Sequence, residues 1–233
     1  SRARDARAGG CANTAAAGLL AGLFQLPLEE AVDEVRTLFG RKGEQVIERN
    51  IAALRSGYEL AAQVRTDLVL PDNGPESAGR EPAVNGSQAV GLGAIAGGCN
   101  MIASYPMSPG TGVLTFLAGK DEQFGIVAEQ VEDEIAAINM AIGGWFGGGR
   151  AMVTTSGGGF ALMEEGVSLA AMTETPVVIH VAQRPGPATG LPTRTEQADL
   201  DMVLHSGHGE FPRIVLAPGT LEEAFALGKQ AFE

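Results

Sequence analysis

The chain is poor in cysteine, in basic residues and in long apolar runs. Its 233 residues include two cysteines, Cys11 and Cys99, and neither belongs to a CxxC pair. We therefore expect no iron–sulfur cluster held by four thiolates of this chain, and we expect a reducing, cytoplasmic compartment. No apolar run reaches about 18 residues, the length that a membrane span needs, so no membrane association is expected.

Basic residues are outnumbered by acidic ones, 16 to 28, which gives a formal charge of −12. Binding to nucleic acid requires a basic stripe, and none is visible, so we expect no nucleic-acid partner. The first ten residues, SRARDARAGG, lack the apolar region of a signal peptide. Because the sequence starts without Met and stops inside an apparent helix, we expect a fragment or a processed piece.

The first third of the chain has helical patterns without strands. Apolar residues 12–24, a segment opened by Pro27 and ended by Gly40, and an amphipathic stretch from Lys42 to roughly Thr66 predict three helices. Residues 67–84 contain three prolines and several small polar residues, which is typical of a linker. The sequence thus predicts an α-helical segment over 1–66, a linker over 67–84 and a second domain over 85–233.

Helical and strand patterns alternate in residues 85–233. Helices are predicted at 86–98, 111–119, 131–146, about 160–172 and after Thr220, where Glu223 completes a capping box. Strands are predicted at 100–106, 124–130, 150–156, 175–182 and 213–218, and residues 184–201 form a long irregular loop. This order predicts an α/β fold with a doubly wound parallel sheet, right-handed crossovers and a functional edge at the carboxyl ends of the strands.

A carboxylate enters a nearly apolar helix at that edge. Glu134 shares a helical face with Ala137, Ile138 and Ala141, so its side chain is predicted to point into packed protein. Four acids lie between positions 129 and 134, an arrangement that suits a proton relay. The simpler alternative is that acids in a first helical turn complement the helix dipole.

Two turns could hold an anion or a ligand. The turn YPMSPGTG places Ser108 and Thr111 near a helix N-terminus, where they either bind an anion or cap the helix. Gly157, Gly158 and Gly159 in TTSGGGF either let a ligand touch backbone amides or make a tight turn. A phosphate loop is disfavoured because its lysine is missing. The glycines of GLGAIAG, residues 91–97, indicate close helix packing rather than a dinucleotide site.

Arg184 directly follows the apolar strand 175–182 and would emerge at its carboxyl end. A guanidinium there suits a bidentate contact with a carboxylate, and the more ordinary alternative is a surface ion pair. His180, inside the strand, is interpreted as a hydrogen-bonded core histidine. His205 and His208 lie near Glu210; this spacing admits a metal, but a solvated loop is favoured.

Six motifs in unbroken order resemble the α subunit of 2-oxoacid:ferredoxin oxidoreductases, the 2-oxoglutarate type especially. They are NGSQAVGLGAIAGG, SYPMSPGTGVL, AEQVEDEIAAINMAIGG, AMVTTSGGGFALMEEG, PVVIHVAQRPGPATGLPTRTEQADL and HGEFPRIVLAPGT. The first 66 residues resemble the end of a γ domain fused in front of some of these subunits. The resemblance implies the pyrimidine-domain type of thiamine diphosphate-binding fold.

The resemblance also implies a reaction and its partners. The family decarboxylates a 2-oxoacid with thiamine diphosphate, transfers the acyl group to coenzyme A and passes electrons to ferredoxin. Its α subunit faces the cofactor's aminopyrimidine ring, and a β subunit supplies the diphosphate site, Mg²⁺ and a [4Fe-4S] cluster. An (αβ)₂ assembly is therefore expected. Two alternatives stay open, a non-catalytic assembly or regulatory module and a subunit of another thiamine diphosphate enzyme.

Residue roles follow from the same motifs. Glu134 would hydrogen-bond the aminopyrimidine ring nitrogen, which favours the imino tautomer that accepts the thiazolium proton. Arg184 would clamp the substrate carboxylate, Ser108 would bind the substrate, and Thr193 would lie near its side chain. Tyr105 and Pro106 would contact the cofactor, and no metal ligand is expected. Two departures stand out: Gly158 replaces a frequent proline, and NGSQAV replaces GNEAV.

Overall fold

The computed structural model describes residues 11–64 and 83–233, which fall in two compact units, 1–81 and 82–233. Most of the predicted linker over 67–84, and the end of the third predicted helix near Thr66, lie outside the described residues. Among the described residues, no helix is both long and apolar enough to cross a membrane.

The first unit is helical, as predicted. Helix α1 spans Ala12–Leu23, α2 spans Leu28–Phe39, a 3₁₀ turn spans Gly40–Lys42, and α3 spans Glu44–Ala61. Apolar residues of α2 and α3 recur at helical spacing and form one buried cluster, Val32, Val35, Ile47, Ile51 and Leu54. The third helix ends at Ala61, several residues earlier than the sequence pattern indicated.

The second unit contains a four-stranded parallel sheet in the order β2-β1-β3-β4. Strand β1 spans Met101–Ser104, β2 spans Val127–Gln130, β3 spans Ala151–Thr155 and β4 spans Val178–Val181. Its helices are α4 (Gly86–Ala96), α5 (Thr111–Ala118), α6 (Asp121–Phe124), α7 (Glu134–Phe146), α8 (Gly157–Leu162), α9 (Glu164–Met172), α10 (Leu200–His205) and α11 (Leu221–Gln230).

Helices cover both faces of this sheet. On one face Ile102 and Met152 pack with the apolar side chains of α4 and α5 and with Phe232. On the other face Ala151 and Val153 pack with those of α7 and α9. The alternation along β3 follows the two-residue repeat of a strand. The predicted doubly wound α/β architecture is confirmed, and it brings the carboxyl ends of β1, β3 and β4 to one edge.

Helices α4 and α11 approach until backbone touches backbone. A Cβ atom added at Gly93 would lie 2.3 Å from the carbonyl oxygen of Phe225, and one at Gly97 would lie 2.7 Å from that of Lys229. No side chain fits at either position. The glycines of residues 91–97 therefore serve close helix packing, as the sequence indicated.

The start of α4 explains the unusual NGSQAV motif. The Gln88 N–H donates to Asn85 Oδ1 over 3.0 Å, and the Asn85 N–H donates to Gln88 Oε1 over 2.9 Å, which completes a capping box. At α11 the box is incomplete. Thr220 caps the Glu223 N–H, but the Glu223 carboxylate accepts from Gly219 instead of Thr220.

Several predicted element boundaries were wrong. Residues 213–218 form no strand, and Ile214 is 88% exposed. A strand needs a neighbour for its backbone hydrogen bonds, and in the described part of the chain β4 pairs only with β3. The predicted helix at 160–172 is two helices that meet at Met163, α6 occupies the start of the predicted second strand, and α10 was not predicted.

Candidate active site

The candidate site lies at the carboxyl edge of the sheet, where a hydrogen-bonded network joins the turn after β1 to β3 and β4. The Thr154 N–H donates to Ser104 Oγ over 2.8 Å, and the Thr154 hydroxyl donates to the Gly110 carbonyl over 3.0 Å. Thr154 Oγ1 also lies 2.9 Å from His180 Nδ1. The turn that carries Tyr105, Pro106 and Ser108 is therefore held against the neighbouring strand.

His180 is hydrogen-bonded, as interpreted from the sequence, and its side chain is half-buried in β4. The Thr154 hydroxyl already donates to Gly110, so it accepts at His180, which places the imidazole proton on Nδ1. Burial disfavours the charged ring and lowers the pKa of His180 to about 4. The histidine is neutral at physiological pH and acts here as a donor.

Glu134 is the first residue of α7, and the structure buries it as the helical pattern predicted. The preceding Asp133 caps the helix by accepting the Ala136 N–H at 2.7 Å, so the first turn is fixed. The Glu134 side chain is 3% exposed and turns toward α8, where its Cγ and Oε1 lie against Gly159. Oε1 is buried without a hydrogen-bond partner in the described residues.

An unpaired, buried carboxylate oxygen lowers the stability of the folded protein. A bound molecule that donates a hydrogen bond to this oxygen would remove the destabilisation. The absence of a side chain at Gly159 leaves room for the acid, because a Cβ there would lie 2.8 Å from Glu134 Oε1. An aminopyrimidine ring fits this requirement, since a protonated ring nitrogen or an amino group is a donor. The residues present thus suit one half of a thiamine diphosphate site.

Arg184 is buried, so the surface ion pair considered from the sequence is wrong. Its side chain is 8% exposed, and Nη1 donates to the Ser108 carbonyl over 2.9 Å. Nε has no hydrogen-bond partner in the described residues. Arg184 lies three residues after the end of β4, and its hydrogen bond to Ser108 places the guanidinium against the turn that follows β1. A buried guanidinium with free donor capacity is suited to a carboxylate ligand.

A cavity of about 170 Å³ lies beside Arg184. Its lining includes Gly157 and Gly158 of α8, residues 185–188 of the loop after β4, and Asp199 and Met202. The Asp199 carboxylate lies against Gly157, where an added Cβ would meet Oδ1 at 2.2 Å. Gly157 thus leaves room for the Asp199 side chain, and Gly158 for the Ala188 carbonyl oxygen, which an added Cβ would meet at 3.2 Å. Asp199 was missed by the sequence analysis, because an acid in a polar loop carries no periodic signal.

The other predicted residues occupy different settings. Ser108 faces solvent, and its carbonyl rather than its hydroxyl contacts Arg184. Tyr105 is 40% exposed at the end of β1, and Pro106 is half-buried beside it. Thr193 is exposed in a turn that the Arg194 N–H closes on the Leu191 carbonyl over 2.9 Å. The structure thus brings Ser108 and Arg184 into contact and leaves Thr193 on a surface loop.

His205, the last residue of α10, and His208, which follows the helix, each have a hydrogen-bonded contact. His205 Nδ1 lies 2.8 Å from the Asp201 carbonyl one helical turn earlier, and the His208 N–H donates to Ser168 Oγ over 3.1 Å. Within residues 11–64 and 83–233, no group of three or more His, Cys, Asp or Glu side chains could hold a metal ion.

Comparison with known proteins decides the family. Residues 92–233 match the family model described as pyruvate flavodoxin/ferredoxin oxidoreductase, thiamine diphosphate-binding. This match covers most of the chain. The chain belongs to this family. Residues 2–60 match a second model, described as pyruvate ferredoxin/flavodoxin oxidoreductase.

Curated relatives of this oxidoreductase family are α-type subunits. The chain is 43% identical over 150 residues to the 2-oxoglutarate synthase subunit KorA of Archaeoglobus fulgidus, which covers 64% of this chain and 43% of the relative. It is 36% identical over 226 residues to the 2-oxoglutarate oxidoreductase subunit KorA of Mycobacterium tuberculosis, covering 94% of this chain and 34% of the relative. The chain thus spans less than half the length of these relatives.

A solved structure shares the fold. It is a 2-oxoglutarate:ferredoxin oxidoreductase from Magnetococcus marinus with 2-oxoglutarate, coenzyme A and succinyl-CoA bound. The TM-score is 0.77 at 36% sequence identity, over 95% of this chain and 39% of that chain. The resemblance to 2-oxoacid:ferredoxin oxidoreductases that the sequence motifs indicated is therefore confirmed.

Proposed function

We propose that this chain supplies the aminopyrimidine-facing half of the active centre in a 2-oxoacid:ferredoxin oxidoreductase that acts on 2-oxoglutarate. The overall reaction would be the coenzyme A-dependent oxidative decarboxylation of the 2-oxoacid to an acyl-CoA and CO₂, with reduction of ferredoxin. The named relatives and the bound ligands of the solved neighbour support the substrate class. The single observation that carries the proposal is the buried, unpartnered carboxylate of Glu134.

Glu134 acts as the acid–base group of this half-site. Thiamine diphosphate, when bound, supplies a carbon nucleophile for the keto group and an electron sink for decarboxylation. Glu134 Oε1 would hold a proton shared with the aminopyrimidine ring nitrogen and so fix the tautomer of that ring. Its burial keeps water from competing for this hydrogen bond. Tyr105 and Pro106, at the end of β1, would contact the ring.

Arg184 and Ser108 form the substrate part of the half-site. The Ser108 carbonyl holds one end of the guanidinium, and the remaining N–H groups are positioned for the substrate carboxylate. The exposed Ser108 hydroxyl is available as a further donor. Thr193, on the loop that begins at Arg184, would approach the substrate's side chain when the loop is covered by a partner.

The remaining parts belong to a partner. We assign the diphosphate site, Mg²⁺ and a [4Fe-4S] cluster to a β subunit, in an (αβ)₂ assembly that delivers electrons to ferredoxin in the cytoplasm. The subunit names of the relatives support a partner of this kind. The division into a helical γ-like segment over 1–66, a linker over 67–84 and a pyrimidine-binding domain over 85–233 is part of the same proposal.

The test is an assay of the complex purified after co-expression with a β subunit. Turnover of a panel of 2-oxoacids is measured by ferredoxin reduction, with and without coenzyme A and thiamine diphosphate. We expect activity with 2-oxoglutarate that requires both. Copurification of the β subunit without any ferredoxin reduction would contradict the enzymatic assignment and indicate an assembly module.

Glu134→Gln in this complex tests the central residue. We expect kcat to fall by about 10²–10⁴, the range typical of lost acid–base catalysis. Glu132→Gln is the matched control, since Glu132 is exposed two residues earlier, and we expect its activity to stay near that of wild type. If Glu134→Gln kept its activity within about threefold of wild type, below the range for acid–base catalysis, the role of Glu134 would be wrong.

A further inference from the structure

Arg184 and Asp199 have opposite charges, and each has a buried polar atom without a partner. Arg184 Nε and Asp199 Oδ2 both lack a hydrogen bond in the described residues. The two side chains line the same cavity of about 170 Å³. In the described ranges neither residue forms an ion pair within 4.0 Å. The Arg184 guanidinium and the Asp199 carboxylate thus line one cavity without direct contact.

A buried guanidinium requires a counter-charge, because a lone charge inside a protein is strongly destabilising. The contact with the Ser108 carbonyl satisfies one N–H group and supplies no charge. Asp199 is the acid that lines the cavity with Arg184. A volume of about 170 Å³ holds a few water molecules, each of which occupies about 30 Å³ in the liquid and bridges two to four polar groups.

The backbone keeps Asp199 in this place. Its N–H donates to Gln183 Oε1 over 2.9 Å, which joins the two ends of the loop that starts at Arg184. Its carboxylate is confined by Gly157, where an added Cβ would meet Oδ1 at 2.2 Å. The acid is therefore built into the cavity by two separate elements, the loop after β4 and the start of α8.

We propose that Asp199 is the internal counter-ion of Arg184, which an incoming carboxylate ligand displaces. Without ligand, Asp199 balances the guanidinium through bridging water. A small carboxylate that enters the cavity takes over this role at Nε, and the two anions then repel each other. Asp199 thereby weakens the binding of carboxylates at Arg184 and favours their release. The part that concerns the 2-oxoacid rests on the proposed function, in which Arg184 binds the substrate carboxylate.

The sign of this effect separates it from a purely structural role. Two like charges that share a cavity of this size repel by an energy that corresponds to about tenfold in affinity. Removal of the Asp199 charge should therefore tighten anion binding, whereas loss of a merely structural contact would weaken it or leave it unchanged. Removal should also leave Arg184 unbalanced and lower the stability of the ligand-free protein.

The experiment uses the complex with its β subunit, with Asp199→Asn compared to wild type and to the control Asp201→Asn. Asp201 is exposed in α10 and carries the same charge, and its known hydrogen bond uses the backbone carbonyl. Thermal unfolding is followed in a buffer whose only anion is chloride, which has no carboxylate group, and then with sodium acetate in its place at equal ionic strength. The KM for 2-oxoglutarate is measured in parallel.

We expect Asp199→Asn to lower the Tm in chloride by about 3 °C or more. Acetate should raise the Tm of this variant more than that of wild type or Asp201→Asn. The KM for 2-oxoglutarate should fall by about fivefold or more. Equal responses of wild type and Asp199→Asn to acetate, or a higher KM, would overturn the proposal. A specific acetate response without any 2-oxoacid turnover in wild type would support the counter-ion and contradict the proposed function.

A second pair of variants covers the case in which Asp199→Asn does not fold. Arg184→Gln leaves Asp199 as the unbalanced charge, so the double variant Arg184→Gln/Asp199→Asn should have the higher Tm of the two and should not respond to acetate. A double variant that is less stable than Arg184→Gln would show that the two charges are independent and would overturn the proposal.

Discussion

The carboxylate of Glu134 lies directly against the α-carbon of Gly159, so the glycine at the start of α8 makes the space that the acid occupies. An added Cβ at Gly159 would lie 2.8 Å from Glu134 Cγ and from Oε1, and 2.1 Å from Thr155 Oγ1. Both distances are shorter than any real contact of a methyl group. The position of the acid is thus set by a residue from a different element.

This relationship predicts that Gly159→Ala displaces Glu134. We expect a loss of stability of about 1–3 kcal/mol from overpacking, and a fall in kcat of the complex approaching that of Glu134→Gln. Urea unfolding and ferredoxin reduction measure the two effects. The matched control is Gly143→Ala in α7, where nothing lies within 4 Å of the added methyl group and helix propensity favours alanine by about 1 kcal/mol. A Gly159→Ala variant as active as Gly143→Ala would contradict the prediction.

Arg150 is predicted to be a main source of stability in the second unit. Its Nη2 donates to the Gly97 and Phe232 carbonyls, which follow α4 and α11, and its guanidinium lies 5.5 Å from the Trp145 ring centre and 5.9 Å from that of Phe232. We expect Arg150→Met to cost about 2–4 kcal/mol in urea unfolding.

Two further variants test this interpretation of Arg150. Arg150→Lys should restore less than half of the lost stability, because an ammonium group has no planar face to stack on the two rings. Arg194→Met, in an exposed turn, should change the stability by less than about 0.5 kcal/mol. Full restoration by lysine would show that charge alone accounts for the effect.

The lowered pKa of His180 predicts that the stability of the protein depends on pH. Its folded-state pKa is lowered from 6.5 to about 4, so the folded protein binds fewer protons than the unfolded chain between these values. The contribution of His180 is fully present above pH 6.5 and declines as the pH falls toward 4, by at most about 1.4 kcal/mol per pH unit. Urea midpoints between pH 4.5 and 7.5 measure this decline.

The variant His180→Gln isolates the contribution of His180. As the pH falls over this range, its free energy of unfolding should decrease less steeply than that of wild type. His205→Gln, with an exposed ring, should follow wild type. If His180→Gln and wild type lost stability in parallel, other groups would account for the pH dependence.

Cys99 is predicted to be chemically inert in the folded protein. Burial raises the pKa of its thiol to about 11, and the sulfur lies 3.3 Å from the Met101 carbonyl. At pH 8 almost no thiolate is present, so iodoacetamide should leave Cys99 unmodified over hours. Mass spectrometry of the native and of the urea-unfolded protein measures this, and equal labelling in both states would contradict the prediction.

Patterns with a clear period allowed most of the fold to be predicted. The four strands of the sheet and the burial of Glu134 follow from the apolar runs and from the helical face shared with Ala137 and Ile138. Residues 213–218 show the limit of this approach. Their apolar run has the composition of a strand, but a strand forms only where a neighbour is available for pairing, and this is a property of the tertiary structure.

The candidate site was only partly predictable, because part of it depends on contacts between distant residues. Arg184 was found from its position after a strand, but its burial depends on the Ser108 carbonyl, which is 76 residues away in the chain. Asp199 belongs to a polar loop, and its role follows from the cavity that it shares with Arg184. The local sequence pattern does not indicate which distant residues come into contact in the tertiary structure.

The contact between α4 and α11 limits how this protein can change over evolutionary time. Because the carbonyls of Phe225 and Lys229 occupy the places where side chains at 93 and 97 would stand, even one methyl group there requires α11 to shift. Such a shift would also move Phe232 away from the ring of Trp145. We therefore expect substitutions in α4 and in α11 to be correlated during evolution.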